Sequence, residues 1–141
     1  MADLGADYRL LHSTPPVADY LALRAGSGLS PKTPEQAEAG LPGSWAACHV
    51  EHVPTGRAVG MGRVLGDGGW YFHVVDMAVL PEHQRRGIGD TVLSALLREI
   101  HERAPAGATI NLLADPPGRR LYTRHGFRET APGSVGMERQ T

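Results

Sequence analysis

The apolar positions along this chain fall into short runs of two different periods. From Val74 to Leu80 an apolar run, interrupted only by Asp76, is stopped by Pro81, which predicts a buried strand. Past a polar, basic turn, Val92, Leu93, Leu96, Leu97 and Ile100 recur at the 3.6-residue period of an amphipathic helix, predicted over Ile88 to about Arg103. Trp45–Glu51, Ala58–Leu65 and Trp70–Leu80 read as three successive strands. Turns at Pro54-Thr55-Gly56 and Gly66-Asp67-Gly68-Gly69 join them into an antiparallel meander.

Tyr8–His12 is a short first strand. Ser13-Thr14-Pro15-Pro16 offers cap and first-turn residues for a helix through about Arg24, with Val17, Tyr20, Leu21 and Leu23 as its apolar side. A second, shorter helix starts where Thr33 caps, Pro34 opens and Gln36 completes a capping box, and it ends by Gly40. Downstream, Thr109–Ala114 is an apolar strand suited to lie parallel to the central one across the helical crossover. Pro117–Arg124 reads as a short helix closed by Gly126, and Phe127–Thr130 with Val135–Arg139 as a last pair of strands. The order is β-α-α-β-β-β-α-β-α-β-β.

Composition narrows what such a chain can be. Its 141 residues suit one domain, large enough to bury a core without metal or disulfide help. Fourteen basic and 15 acidic residues leave a net charge of −1, which argues against a general nucleic-acid or membrane-surface binder. Cys48 stands alone, so no internal disulfide forms and a reducing compartment is expected. With no signal-like or membrane-spanning run, the expectation is a soluble cytoplasmic protein.

Against that neutral background, Gln84-Arg85-Arg86-Gly87-Ile88-Gly89 stands at the strand-to-helix junction. Two glycines there let the backbone turn tightly, and the unpaired N–H groups and partial positive charge of a helix start attract an anion. Arg85 and Arg86 add charge, which suits a pyrophosphate. A Walker loop needs Gly-Lys-Ser/Thr, and the dinucleotide fingerprint needs a third glycine where this chain has Val92. Neither fits.

What fits is Gln/Arg-x-x-Gly-x-Gly/Ala after a strand and a proline-containing loop, and here the chain resembles the GNAT superfamily of N-acetyltransferases. Leu121-Tyr122-Thr123-Arg124-His125-Gly126-Phe127 resembles the family's downstream Leu-Tyr-x-x-x-Gly-Phe, one helix and one strand away as the family requires. The resemblance implies a single α/β (α+β) domain over residues 1–141, with a mixed sheet of about six to seven strands flanked by four helices. It implies acetyl-CoA as co-substrate and no metal. The backbone of Met77, Ala78 and Val79 would take the pantetheine arm. Gln84, Arg85, Arg86, Gly87, Ile88, Gly89, Asp90 and Thr91 would hold the pyrophosphate.

It also implies roles for single side chains. Tyr122 falls where the family has a general acid near the sulfur, and a phenol with a pKa of about 10 carries a proton at neutral pH. Asp115 stands where an asparagine commonly bonds the coenzyme arm; an ionised aspartate accepts but cannot donate, so capping of the Pro116-Pro117-Gly118 turn is an equal reading. For the general base, one branch of the family points to His73 and another to Asp76. Three apart on a strand, they face opposite sides unless a bulge intervenes. The region walling the acceptor pocket would contain Gly26, Ser27, Gly28, Leu29 and Ser30. No Cys-His arrangement supports a covalent intermediate, so transfer is expected to be direct. The reading is transfer of acetyl to a primary amine of a small molecule or polyamine-like acceptor. Acetylation of a protein amine and a non-catalytic acyl-CoA-binding module are the alternatives. Whether the last strands pair within one chain or across a homodimer stays open.

Overall fold

The computed structural model describes residues 3–141 and contains five strands and four α-helices. They are β1 (Tyr8–Leu11), α1 (Val17–Gly26), α2 (Pro34–Gly40), β2 (Ala46–His52), β3 (Arg57–Gly66), β4 (Tyr71–Val79), α3 (Ile88–Arg103), β5 (Thr109–Asn111) and α4 (Arg119–Arg124). The meander forms as the alternation predicts, and the strands lie side by side in chain order. All neighbours are antiparallel except β4 and β5, which run parallel across the α3 crossover.

α3 lays Ile88, Val92, Leu93, Leu96 and Ile100 on one face of the sheet, each no more than 1% exposed. It can sit that close because β3 has Gly62 beneath it: a Cβ there would meet Val92 at 2.9 Å and Leu96 at 3.0 Å. α1 and α2 cover the other face, packing Tyr20, Leu23, Ala37 and Leu41 against Ala58, Met61 and Ala78. The capping box of α2 is formed in full. Gln36 N donates to Thr33 Oγ1 at 3.1 Å, and Thr33 N to Gln36 Oε1 at 3.0 Å. Ser13 and Thr14 do not cap α1. Pro16 occupies that position with no side-chain cap, and the Ser13 carbonyl bonds His49 Nδ1 instead.

The sheet has five strands where six to seven were expected. Phe127–Thr130 and Val135–Arg139 form no strand, and Thr109–Ala114 is paired only as far as Asn111. A three-residue β5 offers too short an edge for further pairing. The chain beyond satisfies itself locally instead: Ser134 N donates to the Thr130 carbonyl and Thr130 Oγ1 to the Ser134 carbonyl.

β4 is not a regular strand. Met61 pairs with Ala78 and Arg63 with Val75, so Asp76 and Met77 together oppose Gly62. This is a β-bulge, and Asp76 takes a left-handed φ of 61° within it, a conformation uncommon outside glycine. The extra residue resets the alternation. Phe72, Val74, Met77 and Val79 all reach the α3 side, so His73 and Asp76 share the other face. The bulge is the condition under which the opposite-face expectation fails.

Asp76 is 7% exposed and its carboxylate is fully engaged. Oδ1 accepts from Arg24 at 2.5 Å, and Oδ2 accepts from Arg63 Nε at 2.6 Å and from the Tyr20 hydroxyl at 2.7 Å. Burial first, then the bond to Asp76, raises the Tyr20 phenol above its ordinary pKa, which keeps it a donor. Removing one member of such a buried charge cluster leaves the others uncompensated. Asp76→Ala is therefore expected to lower unfolding stability by about 3–5 kcal/mol in urea titrations. A loss of about 1 kcal/mol or less, typical of a solvated pair, would contradict this account of the cluster.

Candidate active site

β4 and β5 pair only between Tyr71–His73 and Thr109–Asn111, so from Val74 to Val79 that edge of β4 has no strand beside it. The Met77 and Val79 side chains pack into the α3-side core and Ala78 into the opposite cluster, so only their backbone is available along this edge. The Gln84 side chain folds back and donates Nε2 to the Val79 carbonyl at 3.1 Å. It thereby ties the basic turn to the end of the strand.

After a 3₁₀ turn at Pro81–His83, Gln84 is extended, Arg85 is left-handed (φ 63°) and Gly87 is left-handed (φ 83°, ψ 10°). Left-handed residues alternating with others turn successive N–H groups toward one concavity, which suits an anion. Gly87 is the N-cap of α3 and no side chain caps it, so the first-turn N–H groups of a 16-residue helix remain open. Arg85 and Arg86 are exposed beside them.

The two glycines do different things. Gly87 supplies a backbone conformation that side chains resist. At Gly89 a Cβ would make ordinary contact with Leu121 Cδ2 at 3.4 Å and Val79 Cγ2 at 3.8 Å, so the space between α3 and α4 there admits a methyl group. Ile88 is core, and the Thr91 hydroxyl is sealed from solvent without a partner. Ile88 could serve an anion only through its backbone, and the Thr91 N–H is already committed to the Gly87 carbonyl at 3.0 Å. Asp90 is in the first turn of α3, and its Oδ1 is bonded by His125 Nε2 at 2.7 Å.

Tyr122 lies on α4, half-buried, with its ring edge-on to Phe127 (centroids 6.1 Å apart) and packed over Gly118, where a Cβ would come within 2.7 Å of it. Its pKa is raised above the ordinary phenol value, by burial first and by the Asp115 carboxylate second. Asp115 is exposed and precedes the 3₁₀ turn at Pro116–Gly118. It caps that turn through its backbone carbonyl, which accepts from Gly118 N, and its carboxylate caps nothing.

His73 is not the solitary strand histidine that its sequence position suggests. Its Nδ1 lies 2.9 Å from Asn111 Oδ1, and Asn111 Nδ2 donates to the Tyr71 hydroxyl at 2.7 Å. The contact holds the imidazole by its Nδ1 edge and leaves Nε2 without a hydrogen-bond partner among the described residues. Asn111 escaped the sequence analysis, although the parallel register sets it directly across from His73. Arg24, Arg63 and Tyr20 escaped it too. Arg24 extends the Asp76 cluster by donating to the Ser30 carbonyl at 2.8 Å and its hydroxyl at 3.1 Å, fastening the loop after α1 to the β4 bulge.

Other features lie apart from this constellation. A cavity of about 670 Å³ lies between β1–β2 and α1–α2, lined by Leu11, Pro15, Val17, Leu41 and His49. It touches none of the residues above, whereas a smaller crevice reaches Tyr20, Arg63 and Asp76. Cys48 is buried and desolvation pushes its thiol up to about 12, so it presents no thiolate. Among the described residues no three His, Cys, Asp or Glu side chains gather as metal ligands would, and no helix is long and apolar enough to cross a membrane.

An open strand edge leading to an uncapped helix start is a setting for a pantetheine-pyrophosphate ligand, and residues 44–129 match the acetyltransferase (GNAT) domain model. The chain belongs to the GNAT family. A probable acetyltransferase from meticillin-resistant Staphylococcus aureus superposes with a TM-score of 0.90 at 36% identity, covering 95% of this chain and 99% of that one. An uncharacterized N-acetyltransferase of Porphyra purpurea is 31% identical over 81 residues, which are 57% of this chain and 45% of that protein. The chain thus spans about half the length of the curated relatives it matches. Glucosamine-6-phosphate N-acetyltransferase from Arabidopsis thaliana, at 14% identity and a TM-score of 0.70 over 94% of this chain and 97% of its own, shares the fold alone.

GNAT proteins use acetyl-CoA as co-substrate, and two variants test the fit of this turn to it. Gly87→Ala forces a side chain into a left-handed position, at about 1–2 kcal/mol, and should weaken acetyl-CoA binding in calorimetric titration; Gly89→Ala should bind nearly as the wild type does. Equal affinity in all three proteins would remove the cradle. Replacing both Arg85 and Arg86 with Ala should weaken binding more at low than at high ionic strength, because exposed charge is screened. A loss independent of salt would mean that the arginines act without their charge.

Proposed function

We propose that the chain is an acetyl-CoA-dependent N-acetyltransferase that moves acetyl directly to the primary amine of a small molecule or polyamine-like acceptor. The observation that carries the reading is Tyr122, a half-buried phenol held protonated by its surroundings on the helix that packs at Gly89 against the cradle. A module that only binds acyl-CoA has no use for an acid there. Acetyl-CoA supplies the activated acyl group; the protein supplies position and two proton transfers.

The backbone of Met77–Val79 holds the arm and the turn from Arg85 to Thr91 the pyrophosphate, which sets the thioester in the gap between β4 and β5. His73, at the last paired rung of that gap, takes a proton from the incoming amine at Nε2, directly or through one water. The amine nitrogen bonds to the acyl carbon as the carbon–sulfur bond breaks, and the Tyr122 hydroxyl gives its proton to the departing sulfur. His73 then returns its proton through solvent, restoring Tyr122. Asp76, with both oxygens committed to three donors, serves as the anchor of β4 and of the loop after α1. That loop, Gly26 to Ser30, faces the acceptor.

Tyr122→Phe keeps the ring and removes the proton. With an acceptor found by screening amines for coenzyme A release, kcat should fall roughly tenfold or more, while KM for acetyl-CoA stays nearly constant. In the wild type the alkaline fall of kcat should lie above the ordinary phenol range, as the raised pKa requires, and the variant should lack it. Wild-type kcat in the variant would return Tyr122 to the core.

A further inference from the structure

α4 is six residues long, less than an isolated helix needs to hold its shape. No side chain caps its start at Gly118, and no strand follows it to pin its far end. It nevertheless carries Tyr122, whose position relative to the cradle decides whether a proton can reach the sulfur. The far end is held by one polar contact to another element. His125 Nε2 donates to Asp90 Oδ1 at 2.7 Å, with the two side chains 17% and 30% exposed.

His125 is rigidly related to Tyr122. Its own N–H returns to the Leu121 and Tyr122 carbonyls, and Phe127 N donates to the Tyr122 carbonyl as the Phe127 ring meets the Tyr122 ring. Asp90 is equally fixed relative to the cradle, because it is the third residue of α3 and Thr91 N already bonds the Gly87 carbonyl. The contact therefore spans the two halves of the site.

The geometry points to His125 and Asp90 as a clasp that positions Tyr122 against the first turn of α3. Neither side chain touches the reacting atoms; both act through where Tyr122 stands. This inference rests on the assignment of Tyr122 as the acid, so the test must separate the two. An error of about 1 Å in placing a reacting group can cost roughly a hundredfold in rate. His125→Ala is accordingly expected to lower kcat roughly ten- to hundredfold, with little change in KM for acetyl-CoA.

His125→Gln keeps an N–H donor at similar reach and should recover most of the loss. In a Tyr122→Phe background, His125→Ala should cost nothing further, because there is no longer a proton to position. The ring signals of Tyr122 in NMR spectra of the free protein should shift or broaden in His125→Ala and return in His125→Gln. The clasp is overturned if those signals are unmoved, if the alanine variant changes only KM, or if its loss is as large without the Tyr122 hydroxyl as with it. A Tyr122→Phe protein with wild-type kcat is a different failure, that of the acid itself; the ring signals still decide whether His125 positions the helix.

Discussion

The Asp76 carboxylate accepts from Arg24, Arg63 and Tyr20 in a space where an isolated charge would be prohibitively costly. Each of these bonds fixes something the site uses. Arg63 comes from β3 and sets that strand against a bulged neighbour, while Arg24 and Tyr20 come from α1 and hold that helix across the bulge. Through Arg24 the loop ending at Ser30 is held as well. A left-handed aspartate is strained, and the three donors over-determine it. The bend in β4 and the placing of the loop after α1 thus follow from the same carboxylate.

That arrangement explains a division of labour along β4. At His73 the strand is still paired with β5, so Asn111 can fix the imidazole; beyond it, nothing pairs with that edge and the backbone is free to hold a ligand. Pairing, bulge and gap follow one another within seven residues, from His73 to Val79. The basic turn then closes back on the strand through Gln84 and opens α3 without a cap. α4 and the residues after it meet α3 with Leu121 beside Gly89 and His125 on Asp90, while Tyr122 and Phe127 pack against the same core.

Much of this was legible in the chain because it is local. The capping box of α2, the span of α3 and the glycine turn each depend on residues within a few positions of one another. The bulge was not legible, because it is a property of two strands: Gly62 must lie opposite Asp76 and Met77 before the alternation of β4 is reset. An aspartate in an apolar run announced that something lay there, but its partners are 13 to 56 residues away. The last two strands failed for the opposite reason. Their local pattern was adequate, and the short β5 gave them nothing to pair with.

The central claim is that one ligand runs along the open edge of β4 and ends on the first turn of α3. Backbone hydrogen exchange with and without acetyl-CoA tests this directly, because it reads the amides that would be covered. The account predicts that amides within Met77–Val79 and those of Gly87–Thr91 slow together on adding acetyl-CoA, while the walls of the cavity between β1–β2 and α1–α2 are unchanged. Slowing confined to Leu11, Val17 and His49, with the β4 edge and the turn unaffected, would contradict it.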